Sequence, residues 1–170
     1  PADANPSDYE PLKKKQKGKI DPALSMERSL KKTVKTRKIG FLIGEGVDEE
    51  SLLKMRAALL AEGAVVEIIG THLGEFETAS GKHLKADKSL STAGSVLYDA
   101  LFVPAGKRSI QQLKGQGKAL VFLNEAYKHY KPIAMEGEAR ELLGMLHFGN
   151  RSTTELEEDG VIVQEKGHSD

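Results

Sequence analysis

Four short apolar runs constrain the fold more than any other feature: Ile39–Ile43, Ala64–Ile69, Ala100–Val103 and Ile133–Met135. Each has strand length and is nearly continuous rather than alternating, the pattern of parallel strands covered on both faces. Gly44-Glu45-Gly46, Pro104-Ala105-Gly106 and Glu136-Gly137 break the first, third and fourth runs. Between the first two runs, Asp48 is placed to cap a helix whose first turn holds Glu49 and Glu50. Leu52, Leu53, Met55, Leu59 and Leu60 follow along it, and Gly63 suits its left-handed end. Residues 38–69 therefore read as a β-α-β unit, whose crossover is right-handed.

The rhythm changes over residues 74–88. Strand-like alternation around Ala79-Ser80-Gly81, with Phe76 and Leu84 on either side, predicts a polar hairpin inserted after the second strand. Residues 89–95 read as loop and 109–114 as a short helix. Leu120, Leu123, Ala126, Tyr127 and Tyr130 recur at helical spacing until Pro132 stops the helix. After the fourth run, Glu136-Gly137 turns the chain into a helix over 138–143. Met145–Phe148 and Val161–Val163 are further candidate strands around a polar loop over 149–160. The expectation is an α/β sandwich of three layers, with a mostly parallel central sheet and an inserted β-hairpin, over residues 38–170.

Residues 1–37 carry three prolines in the first eleven positions and a KKKQKGK run, and read as an extended basic linker arm. The net charge of zero hides an asymmetry. Residues 1–38 hold eleven Lys and Arg against five Asp and Glu, and the remainder holds fourteen against twenty. Aromatic residues are 5% of the chain and tryptophan is absent, so the lysines have no stacking partners and no nucleic-acid partner is expected. No apolar run approaches the ~20 residues that span a bilayer, so no membrane partner is expected. The stretch PADANPSDYEP lacks the apolar centre of a signal peptide. A chain beginning on Pro1 reads as a piece of something longer, with the cytoplasm as its expected address.

The absence of cysteine excludes disulfides, thiolate metal sites and cysteine nucleophiles. Three other chemistries have candidate residues. Gly44-Glu45-Gly46 lacks the third glycine of a dinucleotide fingerprint, and Glu45, Asp48, Glu49 and Glu50 would repel a phosphate. Met135-Glu136-Gly137 stands where a nucleophile elbow belongs. Glu136 with Glu45 would make a carboxylate pair; otherwise both are polar residues at strand ends. His72, His83, His129, His147 and His168 form no HxxxH or HExxH pair. Only His72 and His83, around the hairpin, leave room for zinc, and the favoured reading is isolated surface histidines without a metal.

Three segments carry a resemblance to a known family. Asn124–Ala134, NEAYKHYKPIA, resembles the EAYKHxKPIA segment in the C-terminal domain of large-subunit heme catalases. Asp99–Gly106, DALFVPAG, resembles that domain's DAxxVPxG strand and turn, and Asp21–Met26 resembles the end of its linker. The resemblance spans roughly residues 20–165. It implies a flavodoxin-like fold related to class I glutamine amidotransferases and to the PfpI and DJ-1 proteins. In those relatives the turn after the KPIA-type strand carries a nucleophilic cysteine. That position falls at Glu136, or at Met135 if the gap is moved, and the relatives' glutamate falls at Glu45, Glu49 or Glu50.

Without a cysteine, the resemblance implies a domain that kept the fold and lost the chemistry, with no catalytic residue and no cofactor of its own. Heme is implied for the parent catalase, which decomposes hydrogen peroxide to water and oxygen. The implied partners are the catalase core and neighbouring subunits of a homotetramer, which the domain would stabilise and whose substrate access it would shape. The family's domain continues into a helix beyond its last strand, whereas this sequence ends at Gly167-His168-Ser169-Asp170, which predicts a less covered sheet face. Two rival readings stand beside this one. The first is a chaperone-like module that binds unfolded client proteins through an exposed patch. The second is a residual hydrolase or glyoxalase-like enzyme using Glu136 and Glu45.

Overall fold

The computed structural model describes residues 33–165. The chain runs β1 (Lys38–Ile43), α1 (Glu49–Ala61), β2 (Val65–Gly70), β3 (Glu75–Glu77), β4 (His83–Lys85) and β5 (Lys88–Ser89). A 3-10 turn (Ser95–Leu97) precedes β6 (Ala100–Val103), α2 (Lys107–Lys114), α3 (Gly117–Lys128) and β7 (Ile133–Glu136). A 3-10 segment (Gly137–Met145), α4 (Thr153–Glu158) and β8 (Val161–Gln164) complete it. The central sheet has the order β5-β2-β1-β6-β7-β8, and every neighbouring pair is parallel. β3 and β4 form the inserted antiparallel hairpin, with Phe76 opposite Leu84.

Continuous apolar runs are what two covered faces require, because alternate side chains leave opposite sides of a strand. Ile39, Phe41 and Ile43 pack with Leu52 of α1 and Phe76 of the hairpin on one face. Leu42, Leu101, Val103, Ile133 and Met135 pack with Ile110, Leu113 and Leu123 of α2 and α3 on the other. The α1 face is thinner over β7 and β8, where Ala134 is half-buried and Ile162 is exposed.

Several elements differ from the sequence expectation. Met145–Phe148 is not a strand. β7 and β8 are adjacent and parallel, so residues 137–160 must cross over a sheet face, and Leu146 and Phe148 are buried beneath that crossover. The ring of Phe148 stacks on Tyr127 at 4.0 Å. The helix expected after Glu136 is present and takes the 3-10 form over Gly137–Met145. The supposed polar loop over 149–160 contains α4, started by a Ser152–Glu155 capping box and anchored by buried Leu156. Lys88, read as the end of the hairpin, and Ser89, read as the start of a loop, form the short edge strand β5. In α1 only Leu52 of the expected stripe is fully buried; Leu53 and Leu60 are exposed. Tyr130 lies beyond the end of α3, left-handed at φ +53° and 85% exposed, while Phe122 takes the buried place on that helix. The linker reading falls on residues 1–37, of which 1–32 lie outside the described residues, as does His168.

The amino-terminal ends of the strands are tied by one polar cluster. Gly40 sits mid-strand in β1, where a Cβ would stand 2.8 Å from Ile69 Cδ1 and 3.1 Å from the Tyr98 ring. Its bare backbone lets Tyr98 lie across β1. The Tyr98 hydroxyl donates to Glu67 Oε2 at 2.8 Å, and Lys38 Nζ stands 2.7 Å from Glu67 Oε1. Lys131 Nζ donates to the carbonyls of Ser95 (2.8 Å) and Tyr98 (2.7 Å). Burial alone would raise the Glu67 carboxyl, but the Lys38 and Tyr98 hydrogen bonds outweigh it and hold it below its ordinary 4.5. Burial, then the Glu67 carboxylate, push the Tyr98 phenol up.

A carboxyl lowered in the folded state adds stability that is full above its ordinary value and is lost as pH falls through the lowered one. Glu67→Gln is therefore expected to cost about 1–3 kcal/mol at pH 7. The difference from wild type should shrink below pH 4.5 and vanish once native Glu67 is itself protonated. Urea unfolding from pH 7 to pH 3 measures this; a pH-independent difference would refute it.

Candidate functional site

An open parallel sheet places ligands outside the carboxyl ends of its strands, where the strand order reverses. Here the reversal lies between β1 and β6, because β2 pairs on one side of β1 and β6 on the other. The loops that meet there are 44–48 and 104–106, and they close on each other. Asp48 N donates to the Ala105 carbonyl at 2.8 Å. Gly106 has φ +135°, and a Cβ on it would lie 2.7 Å from Asp48 N and 2.8 Å from Gly46 O. The crevice is thus filled by backbone packed on backbone.

The amides that a phosphate would need are occupied as well. Gly44 N donates to Ser109 Oγ at 2.8 Å and Glu45 N to Gln112 Oε1 at 2.6 Å. Gly46 N donates to the Glu77 carbonyl at 2.7 Å. Two side chains from α2 and the edge of the hairpin occupy the loop that a nucleotide-binding fold leaves open.

Beside this contact stands Ser51, buried in the first turn of α1. Its hydroxyl donates to Glu136 Oε2 at 2.7 Å and accepts from Ala105 N at 3.1 Å. Its own amide donates to Asp48 Oδ1, the expected helix cap, at 3.0 Å. Glu138 Oε2 accepts from Gly106 N at 3.2 Å. One polar network therefore joins the ends of β6 and β7 to α1.

The residues singled out from sequence separate into different local roles. Glu136 has relaxed extended backbone (φ −118°, ψ 139°), and the left-handed turn falls on Gly137 at φ +57°. The strain that presents a nucleophile at an elbow is not there. Met135 is buried between Val103 and Val163 in register. Glu45 Oε2 accepts from Glu77 N at 2.9 Å, with His72 Nε2 4.0 Å from its other oxygen. Glu49 accepts from Ser80 Oγ and from Lys82 Nζ, bonds that hold its carboxyl below the usual range. Glu50 pairs with Lys54 one turn along α1 at 2.7 Å.

Glu136 is thus joined to Ser51, and Glu45 to the hairpin. Sequence reasoning missed Ser51. Its signal was a small polar residue three places after the capping Asp48, on the side of α1 that also carries Leu52. His72 stacks on Phe76 at 4.3 Å; His83, His129 and His147 are exposed. Among the described residues no three His, Asp or Glu gather as a metal site, and no helix is long and apolar enough to cross a membrane.

The family described as the C-terminal domain found in long catalases matches residues 35–170. The chain is 36% identical over 154 residues to Catalase HPII of Mycobacterium avium, covering 89% of this chain and 22% of that protein. It is 40% identical over 135 residues to Catalase-2 of Bacillus subtilis, covering 78% and 19%. The chain therefore spans about a fifth of the length of these curated relatives. Among solved structures, oxidized Toxoplasma gondii DJ-1 superposes with a TM-score of 0.64 at 14% identity, covering 76% of this chain and 82% of that one. Schizosaccharomyces pombe DJ-1 gives 0.58 at 17%, covering 74% and 75%. At these identities the likeness shows the fold, a flavodoxin-like α/β sandwich.

Ser51→Ala removes the donor to Glu136 and strands the buried Ala105 amide, and is expected to cost about 1–3 kcal/mol. Glu136→Gln keeps an oxygen for Ser51 and is expected to cost under about 1 kcal/mol. Urea unfolding of both variants measures the contrast; equal losses would show that Ser51 matters only by packing.

Proposed function

The chain belongs to the family of C-terminal domains found in long catalases, and from that premise we propose that it is a non-catalytic accessory domain of a heme catalase. The catalase decomposes hydrogen peroxide to water and oxygen; this domain stabilises the tetramer and shapes access of peroxide to it. The observation that carries the non-catalytic reading is the shut crevice. The loops after β1 and β6 touch through backbone, and the nearby carboxylates Glu136 and Glu138 already accept bonds from Ser51 and Gly106. A chain without cysteine has nothing to place at the turn where the resemblance expects a thiolate.

The heme of this reading belongs to the catalase portion. In this chain Tyr98 and Tyr127 donate their hydroxyls to Glu67 and Asp159, and Tyr130 stands out in solvent. Among the described residues none of these tyrosines offers a free phenol within a closed pocket, so they do not fit the group.

The test is a hybrid in which the 170-residue chain replaces the matching domain of Catalase-2 from Bacillus subtilis. The hybrid is expected to resist thermal and denaturant inactivation better than the catalase portion alone. Equal inactivation of the two would sink the stabilising role. The chain expressed alone is expected to carry no Soret band; a stoichiometric one would overturn the assignment of heme to the catalase portion.

A further inference from the structure

A groove of about 540 Å³ runs along the outer side of α3, between that helix and the chain over 90–96. Its walls are Leu90, Val96, Val121 and Phe122, with Lys118 toward one end and Glu125 toward the other. Val96 is 76% exposed and Val121 60% exposed. The fold does not use them: α3 faces the core through Ala119, Phe122, Leu123 and Ala126. Gly117, one turn before Val121, has open space where a side chain would stand, which leaves that end of the groove open. Lys118 Nζ donates to Ser91 Oγ at 3.1 Å and holds the opposite wall alongside the helix.

We propose that this groove seats the apolar stripe of an amphipathic helix from the larger part of the long-catalase polypeptide, and is the face by which the domain docks. The inference rests on the accessory-domain reading. Three observations favour that occupant. About four-fifths of each curated relative lies outside the region matched by this chain, so a partner on the same polypeptide is at hand. The groove follows a helix of 12 residues, about 18 Å long, which suits a docking helix with anchors at i, i+4 and i+7. Lys118 at one end and Glu125 at the other, the latter also accepting from Lys128, ask the partner for an acid and a base in a fixed direction.

The experiment uses the hybrid catalase described above with the 170-residue chain, as wild type, Val96→Asp, Val121→Asp and, away from the groove, Leu73→Asp at a site 64% exposed. Limited proteolysis measures release of the domain, and circular-dichroism melts of each chain alone show that it folds. Both groove variants are expected to be released about tenfold faster than wild type or more, with Leu73→Asp unchanged and all four folding alike. If the wild-type domain is protected and the groove variants are released no faster than Leu73→Asp, the groove assignment falls and the accessory role stands. If the wild-type domain is neither protected nor stabilising, both fall. If the chain alone sediments as a dimer that Val121→Asp dissociates, a second copy fills the groove and the proposed occupant is wrong.

Discussion

The upper end of the sheet depends on one hydroxyl. Ser51 Oγ lies between Glu136 and the Ala105 amide, so residues 51, 105 and 136 are held together by two hydrogen bonds. One of those bonds ends on a carboxylate, and bonds to charged acceptors are stronger than neutral ones. The bond from the Ala105 amide is buried, so leaving that amide unpaired costs more than the bond itself contributes. A ligand entering the crevice would have to break this network and separate the Gly106 and Asp48 backbones. The same atoms that close the strand ends therefore fill the crevice between β1 and β6.

The opposite end of the sheet is sealed by charge rather than by close backbone contact. Tyr130 turns into the left-handed region directly after α3, at a cost of about 1–2 kcal/mol for a residue with a side chain. That turn reverses the chain so that Lys131 reaches the Ser95 and Tyr98 carbonyls, while Pro132 starts the extended course of β7. Lys131 fixes the turn, the turn fixes Tyr98, and Tyr98 reaches Glu67 across the glycine of β1. The segment 124–134 is the most specific part of the family resemblance, and Tyr130, Lys131 and Pro132 within it shape this end of the sheet.

Much of this was legible in the sequence because parallel strands covered on both faces write themselves as unbroken apolar runs. All four runs became neighbouring strands of one sheet, and the hairpin appeared where polar alternation replaced them. What was not legible was set by tertiary context. Leu146 and Phe148 alternate like a strand, yet parallel pairing of β7 with β8 forces them into a crossover. Tyr130 fits a helical stripe, yet the helix has ended before it. At the site, sequence pointed to the end of β7 because Glu136 follows the most familiar segment. The crevice lies between β1 and β6, and strand order cannot be read from one sequence. Ser51 was invisible for the same reason, since both its partners are more than fifty residues away.

The two flanks of the sheet differ in kind. Over β7 and β8 the α1 face leaves Ala134 half-buried, and among the described residues of these two strands Ile162 alone is a strongly exposed apolar side chain. Beside α3 the exposed apolar residues are gathered into a hollow, with walls contributed by two separate parts of the chain and a charge toward each end. A flat apolar edge gains from any cover, whereas a bounded hollow discriminates by shape and direction. The α3 groove is a surface of the second kind, and the sheet edge is not.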